Sequence, residues 1–168
     1  MRALVSRRRL LWAGVATAAA AFAGGGLLVL PKAAEGARVL SAHELAIVRA
    51  VAEVMFPIGV FPVGGVEAQV AEEVDRLLSD WFIEPHRSAF RYILRGLEWG
   101  TRVSQGQGFS GLDLSERQVV LEAWSDPNTF VQRASIDSLR VVMGMAYFGK
   151  PAVLDAIGWR TGCRDSAV

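Results

Sequence analysis

The sequence predicts an all-α domain of about five helices, carried behind an N-terminal export or anchor helix. Three observations predict it. Apolar side chains recur at three-and-four spacing through the long stretches of the body, helix-start signals precede several of these runs, and no stretch alternates apolar with polar residues over a strand's length. The chain of 168 residues divides into a head, 1–36, and a body, 37–168, long enough for one domain with its own hydrophobic core.

The head is cationic, then apolar. Ser6-Arg7-Arg8-Arg9-Leu10-Leu11 resembles the twin-arginine export motif, with Ser6 selecting Arg7 and Arg8 as the pair and Leu10 and Leu11 as the apolar positions behind it. An ordinary secretory signal or a positively flanked membrane anchor are the competing readings. Leu10 to Leu30 carries no charge over 21 residues. At 1.5 Å per helical residue that is roughly 31 Å, enough to span a bilayer core. Its alanines and Gly14, Gly24, Gly25 and Gly26 give it the modest hydrophobicity of a signal, so cleavage and loose anchoring both stand open. Either outcome places the body outside the cytoplasm, in the periplasm or at the membrane.

In the body, Ser41 and Glu44 form a capping box, and Leu40 and Leu45 a hydrophobic staple, at the start of the first helix. Val48, Val51, Ala52 and Met55 continue its apolar face until Phe56-Pro57 stops it. Pro57, Gly59, Pro62, Gly64 and Gly65 then punctuate a stiff loop. Its Ile58, Val60, Phe61 and Val63 require a packing partner.

Val70, Val74, Leu77, Leu78 and Trp81 predict a second helix running from Val66 to about Glu84-Pro85, with acids in its first turns. A third, from about His86, turns Phe90, Ile93, Leu94 and Leu97 inward and Arg87, Arg91 and Arg95 outward. It loses order at Ser104 to Gly108. Ser115, with Gln118 as box partner and a staple from Leu114 to Val119, predicts a short fourth helix. Asp126-Pro127 predicts the start of the fifth and longest, which ends at Tyr147 to Pro151; Ala152 to Ile157 adds a last turn.

The chemistry-bearing residues are sparse. No G-x-G-x-x-G follows a strand, and Gly24-Gly25-Gly26 lies in the export segment, so a dinucleotide or flavin fold is excluded. The single cysteine, Cys163, excludes covalent c-type haem and cysteine-ligated clusters. His43 and His86 read as exposed positions rather than metal ligands. Glu72, Glu73 and Asp75 read as a solvated face.

Of 18 basic and 17 acidic side chains, five and one lie in the head, which leaves 13 and 16 in the body. That slightly acidic body argues against nucleic acid. Trp81, Trp99, Trp124 and Trp159 are expected mostly in the core, with at least one contacting a partner. For an exported chain, Cys163 has two readings, a disulfide to a partner or a free thiol.

The stretches Leu40–Pro57, Val70–Trp81, Phe90–Glu98, Phe109–Trp124 and Leu139–Trp159 are together similar to the gluconate 2-dehydrogenase subunit 3 family. Phe56-Pro57 and Tyr147-Phe148-Gly149-Lys150-Pro151 are its landmarks. This family includes the gamma subunits of bacterial glucose and related sugar or alcohol dehydrogenases. The resemblance implies a non-catalytic accessory subunit with no cofactor of its own. Its implied partners are an FAD-bearing subunit of the glucose-methanol-choline (GMC) oxidoreductase type, a multihaem cytochrome c subunit in many such complexes, and the twin-arginine translocase. It implies an escort that supplies the export signal for a folded flavin subunit.

Cys163, Trp159, Phe61 and Tyr147 are the candidate partner-binding residues. A free-standing periplasmic or membrane-tethered helical binding protein using the Pro57 to Gly65 loop is the alternative, and a self-sufficient enzyme the third.

Overall fold

A computed structural model describes residues 30–126 and 129–159. Among them are six α-helices: α1 (Ala42–Met55), α2 (Val70–Trp81), α3 (Glu84–Gln105), α4 (Leu114–Trp124), α5 (Phe130–Phe148) and α6 (Pro151–Ala156). A 3-10 turn, Phe109–Gly111, links α3 to α4, and no strand occurs among the described residues. The fold class is therefore the expected all-α one. No helix among the described residues is long and apolar enough to cross a membrane. The expected twin-arginine motif at residues 6–11 lies outside the described residues.

The central element is α1, which touches α2, α3, α4 and the 3-10 turn. Its inner face buries Ile47, Val48, Val51 and Ala52 completely. The expected capping box is present: Ser41 Oγ accepts from the N–H of Glu44, and Glu44 Oε2 accepts from the N–H of Ser41. Glu44 does more than cap. Its carboxylate also takes a two-pronged bond from Arg91 of α3, at 3.0 Å from Nε and 2.9 Å from Nη2, with the two side chains only 1% and 11% exposed. The outward arginine row is thus corrected. Arg91 lies inside the domain, and Arg87 folds back to donate to the carbonyls of Leu78, Ser79 and Phe82, covering the C-terminal end of α2.

Two more buried carboxylates act on the approach to α1. Asp75, on the buried side of α2, accepts from three successive backbone N–H groups, those of Arg38, Val39 and Leu40, at 2.7 to 2.9 Å. The solvated-face reading therefore fails at Asp75, where the acid fixes the chain's entry into α1. Glu98 of α3 accepts from Ser110 N–H and Oγ and sits 3.4 Å from His43. Gly108 passes so close that a Cβ there would strike the Glu98 carboxylate.

Several boundaries differ from expectation for identifiable reasons. The chain from Gly65 to Gln69 closes a turn through Ala68 N–H to Gly64 C=O and Gln69 N–H to Val66 C=O, and Gln69 has φ +55°, so α2 starts at Val70. Pro85 sits within the first turn of α3, as a residue without an N–H can, so α3 starts at Glu84 rather than at about His86. The cap of α4 is Asp113 with Glu116, not Ser115 with Gln118, and both Leu114 and Val119 are exposed. Finally, α5 begins at Phe130 behind Thr129, so Asp126 is not its cap.

The Glu44–Arg91 pair yields a stability prediction. Arg91→Met leaves a buried carboxylate without its counter-ion, and loss of one partner of a buried pair costs about 3–5 kcal/mol. Urea unfolding measures it. A variant within about 1 kcal/mol of wild type would show that Glu44 keeps its charge satisfied without Arg91.

Candidate functional site

The two sequence landmarks, Phe56 and Tyr147, 91 positions apart, meet in space. Phe56, the residue that ends α1, stacks on Tyr147 of α5 with ring centroids 4.1 Å apart and planes 4° from parallel. Phe61 meets both rings edge-on, at 5.3 Å from Phe56 and 5.5 Å from Tyr147. Phe148 closes the other side, edge-on to Tyr147 at 5.1 Å. Offset and edge-to-face pairs of this kind add to simple burial, so four rings form one rigid block.

That block carries the apolar loop. Phe56 C=O accepts from Gly65 N–H, Pro57 C=O accepts from Phe61 N–H, and Val63 C=O accepts from the Tyr147 hydroxyl at 2.6 Å. Gly65 must be glycine for a local reason, since a Cβ there would run into the backbone carbonyl of Ala52. Burial pushes the Tyr147 hydroxyl above its ordinary pKa of 10.0, because the phenolate would give up its water.

Beside the block, a groove of about 580 Å³ opens between the end of α1, α4 and α5. Val54, Met55, Phe56, Leu121, Ile136 and Phe148 give it an apolar lining, and Gln118, Glu122 and Arg140 are its polar groups. Phe130, Val141, Met145 and Phe148 share one exposed stripe along α5. The surface bearing Arg49, Glu72, Glu73, Arg76 and Lys150 is different in kind, because its charges are matched in pairs. There the Arg76 guanidinium holds the Glu73 carboxyl below the usual carboxylate range.

The predicted site residues separate under this geometry. Phe61 is half-buried in the ring block, Tyr147 is fully buried at its centre, and Phe148, part of the landmark but not among the candidate partner-binding residues, is the exposed ring. Trp159 is exposed just beyond α6. Cys163 and the residues expected to form an export signal, Ser6, Arg7, Arg8, Leu10 and Leu11, lie outside the described residues. The expectation that most tryptophans are core is overturned: Trp81, Trp99 and Trp159 are exposed and Trp124 is half-buried. Trp81 is the last residue of α2 and stays largely exposed. Among the described residues, no group of three or more His, Cys, Asp or Glu side chains could hold a metal.

The described residues thus form an all-helical domain with an aromatic block and exposed apolar side chains beside it. The family model for gluconate 2-dehydrogenase subunit 3 matches residues 42–161, and the chain belongs to that family. The family is that of an accessory subunit of a dehydrogenase complex, which implies dehydrogenase subunits as partners. No curated protein and no solved structure shows significant similarity to the chain.

Two predictions test the ring block. Gly65→Ala forces backbone apart at the loop's anchor and should destabilise the domain by about 1–3 kcal/mol, the usual cost of overpacking; thermal or urea unfolding reads it. Tyr147→Phe keeps the stack but removes the ionisable hydroxyl. Because folding raises the pKa of Tyr147, its contribution is fully present below the unfolded value near 10.0 and is lost as pH rises through the folded value. Wild type should therefore lose stability above about pH 10 more steeply than Tyr147→Phe in paired unfolding curves. Parallel curves would remove Tyr147 from the alkaline response.

Proposed function

We propose that this chain is the non-catalytic small subunit of a flavin-dependent dehydrogenase complex. It binds a folded FAD subunit of the GMC type, stabilises it, and lends it a twin-arginine export signal. The observation that carries this reading is the family match over residues 42–161, which covers almost the whole body. Ser6-Arg7-Arg8-Arg9-Leu10-Leu11 supplies the motif and the apolar surface around Phe148 supplies a place to dock.

A physical reason joins the parts. FAD is loaded in the cytoplasm, so the flavin subunit must cross the membrane already folded, and the twin-arginine route carries folded cargo. One signal on a bound partner then serves both chains. Substrate specificity lies in the flavin subunit, and electrons leave it toward an acceptor such as a multihaem cytochrome c. The body resides in the periplasm or at its membrane face.

The reading predicts a flavin oxidoreductase encoded beside this chain and lacking a signal of its own, and the test is co-expression of the two. The two should co-purify with the absorbance of bound flavin. Arg7→Lys combined with Arg8→Lys should then leave both chains, and the dehydrogenase activity, in the cytoplasm. Periplasmic activity that survives the double substitution refutes the escort role. A lone monomer with no flavin oxidoreductase beside it favours a free-standing binding protein instead.

A further inference from the structure

The loop between α1 and α2 ends in a pair of aliphatic side chains that nothing in the described chain covers. Ile58 is 81% exposed and Val60 is 77% exposed, and they flank Gly59, whose φ of +91° is a left-handed conformation that favours glycine. The tip is nevertheless held in place. Pro57 C=O accepts from both Val60 and Phe61 N–H, Ile58 bridges to Phe61, and Phe61 is set into the aromatic block. The stem of Ile58 lies over Gly64, where a Cβ would come within 2.5 Å of Ile58 Cγ1. Two large apolar groups at this exposure contribute little to folding. Held on a rigid loop, they would lose little freedom on entering a partner.

Charge decides what kind of partner. From residue 50 to residue 75 the sequence has no Lys or Arg, and the loop is flanked by Glu53 and Glu67. Among the described residues, Arg117 pairs with Glu53 and Lys150 with Glu73. An anionic lipid surface attracts basic flanks, so the tip is poorly made for it. A protein pocket with an apolar floor and a neutral or basic rim suits it.

We infer that Ile58 and Val60 form a prebuilt anchor that inserts into a hydrophobic pocket on the flavin subunit. This rests on the reading above that such a subunit is the partner. The tip supplies contact area and the aromatic block supplies its stiffness. Binding affinity should therefore depend on Ile58 and Val60 while folding does not.

The experiment uses the full chain co-expressed with the flavin oxidoreductase of the test above, comparing wild type with Ile58→Ser plus Val60→Ser. The double variant should melt with wild type and bind the flavin subunit at least about tenfold more weakly. Val60→Thr, which keeps the branched shape, should show part of that loss if the double variant folds poorly. Wild type that co-purifies while both variants bind equally well overturns the anchor alone. Wild type that fails to co-purify overturns the proposed function and the anchor with it. Phosphatidylglycerol vesicles give the last arm: tip-dependent sedimentation, with flavin-subunit binding unchanged in the variants, assigns the tip to lipid and overturns the proposal.

Discussion

The structure depends on how the chain enters α1. Within Arg38 to Glu44, three carboxylates converge from three helices: Asp75 of α2 on the backbone N–H groups of residues 38–40, Glu44 of α1 on its own cap, and Glu98 of α3 beside His43. Each is buried, and a buried carboxylate is tolerable only when its lone pairs are filled. Here all three accept from groups that must be brought from another element. Satisfying the charge and placing the helices are therefore one event, and Arg91 completes it by tying α3 to the cap of α1.

The other end of α1 works by shape. Phe56 ends the helix and at once becomes the floor of the ring block, so the direction in which α1 stops fixes the position of Phe61, and through it the loop. Tyr147 is buried on α5 and bonded to Val63, which joins the loop to a distant part of the chain. Helix α1 is in this sense a strut between a polar lock and an aromatic one. The candidate docking surface is mounted on the aromatic end, far in sequence from the export motif it is proposed to serve.

How much of this was legible in sequence follows from which signals are local. Ser41 and Glu44 announced the first cap, and Phe56-Pro57 announced its end, because caps and prolines act on their immediate neighbours. Arg91 was read as outward because spacing alone cannot reveal an ion pair with a residue 47 positions away. The signal that could have found it was its place between Phe90 and Leu94, two side chains of the buried face. Asp75 carried the same signal between Val74 and Leu77. The register of α4 was ambiguous for another reason, since Asp113 with Glu116 and Ser115 with Gln118 both satisfy the capping pattern. The ionised Asp113 is the better acceptor, and the backbone N–H of Glu116 holds its pKa below the usual range.

The candidate surface was legible only in part because its useful residues are those the fold does not need. Periodicity detects side chains that pack, and it does not tell which ring at the end of α5 is exposed: Tyr147, named as a candidate partner-binding residue, is buried, and its neighbour Phe148 is the exposed one. Loop composition did better. Aliphatic residues crowded between prolines and glycines are expensive to leave in water and hard to bury in a tight turn, so they mark a surface that something else completes. The same division has a consequence for how such a subunit can change. The rings and Gly65 are constrained by one another, whereas Ile58 and Val60 touch little of the core. Recognition of a different flavin subunit could therefore arise at the tip without reopening the packing that holds it.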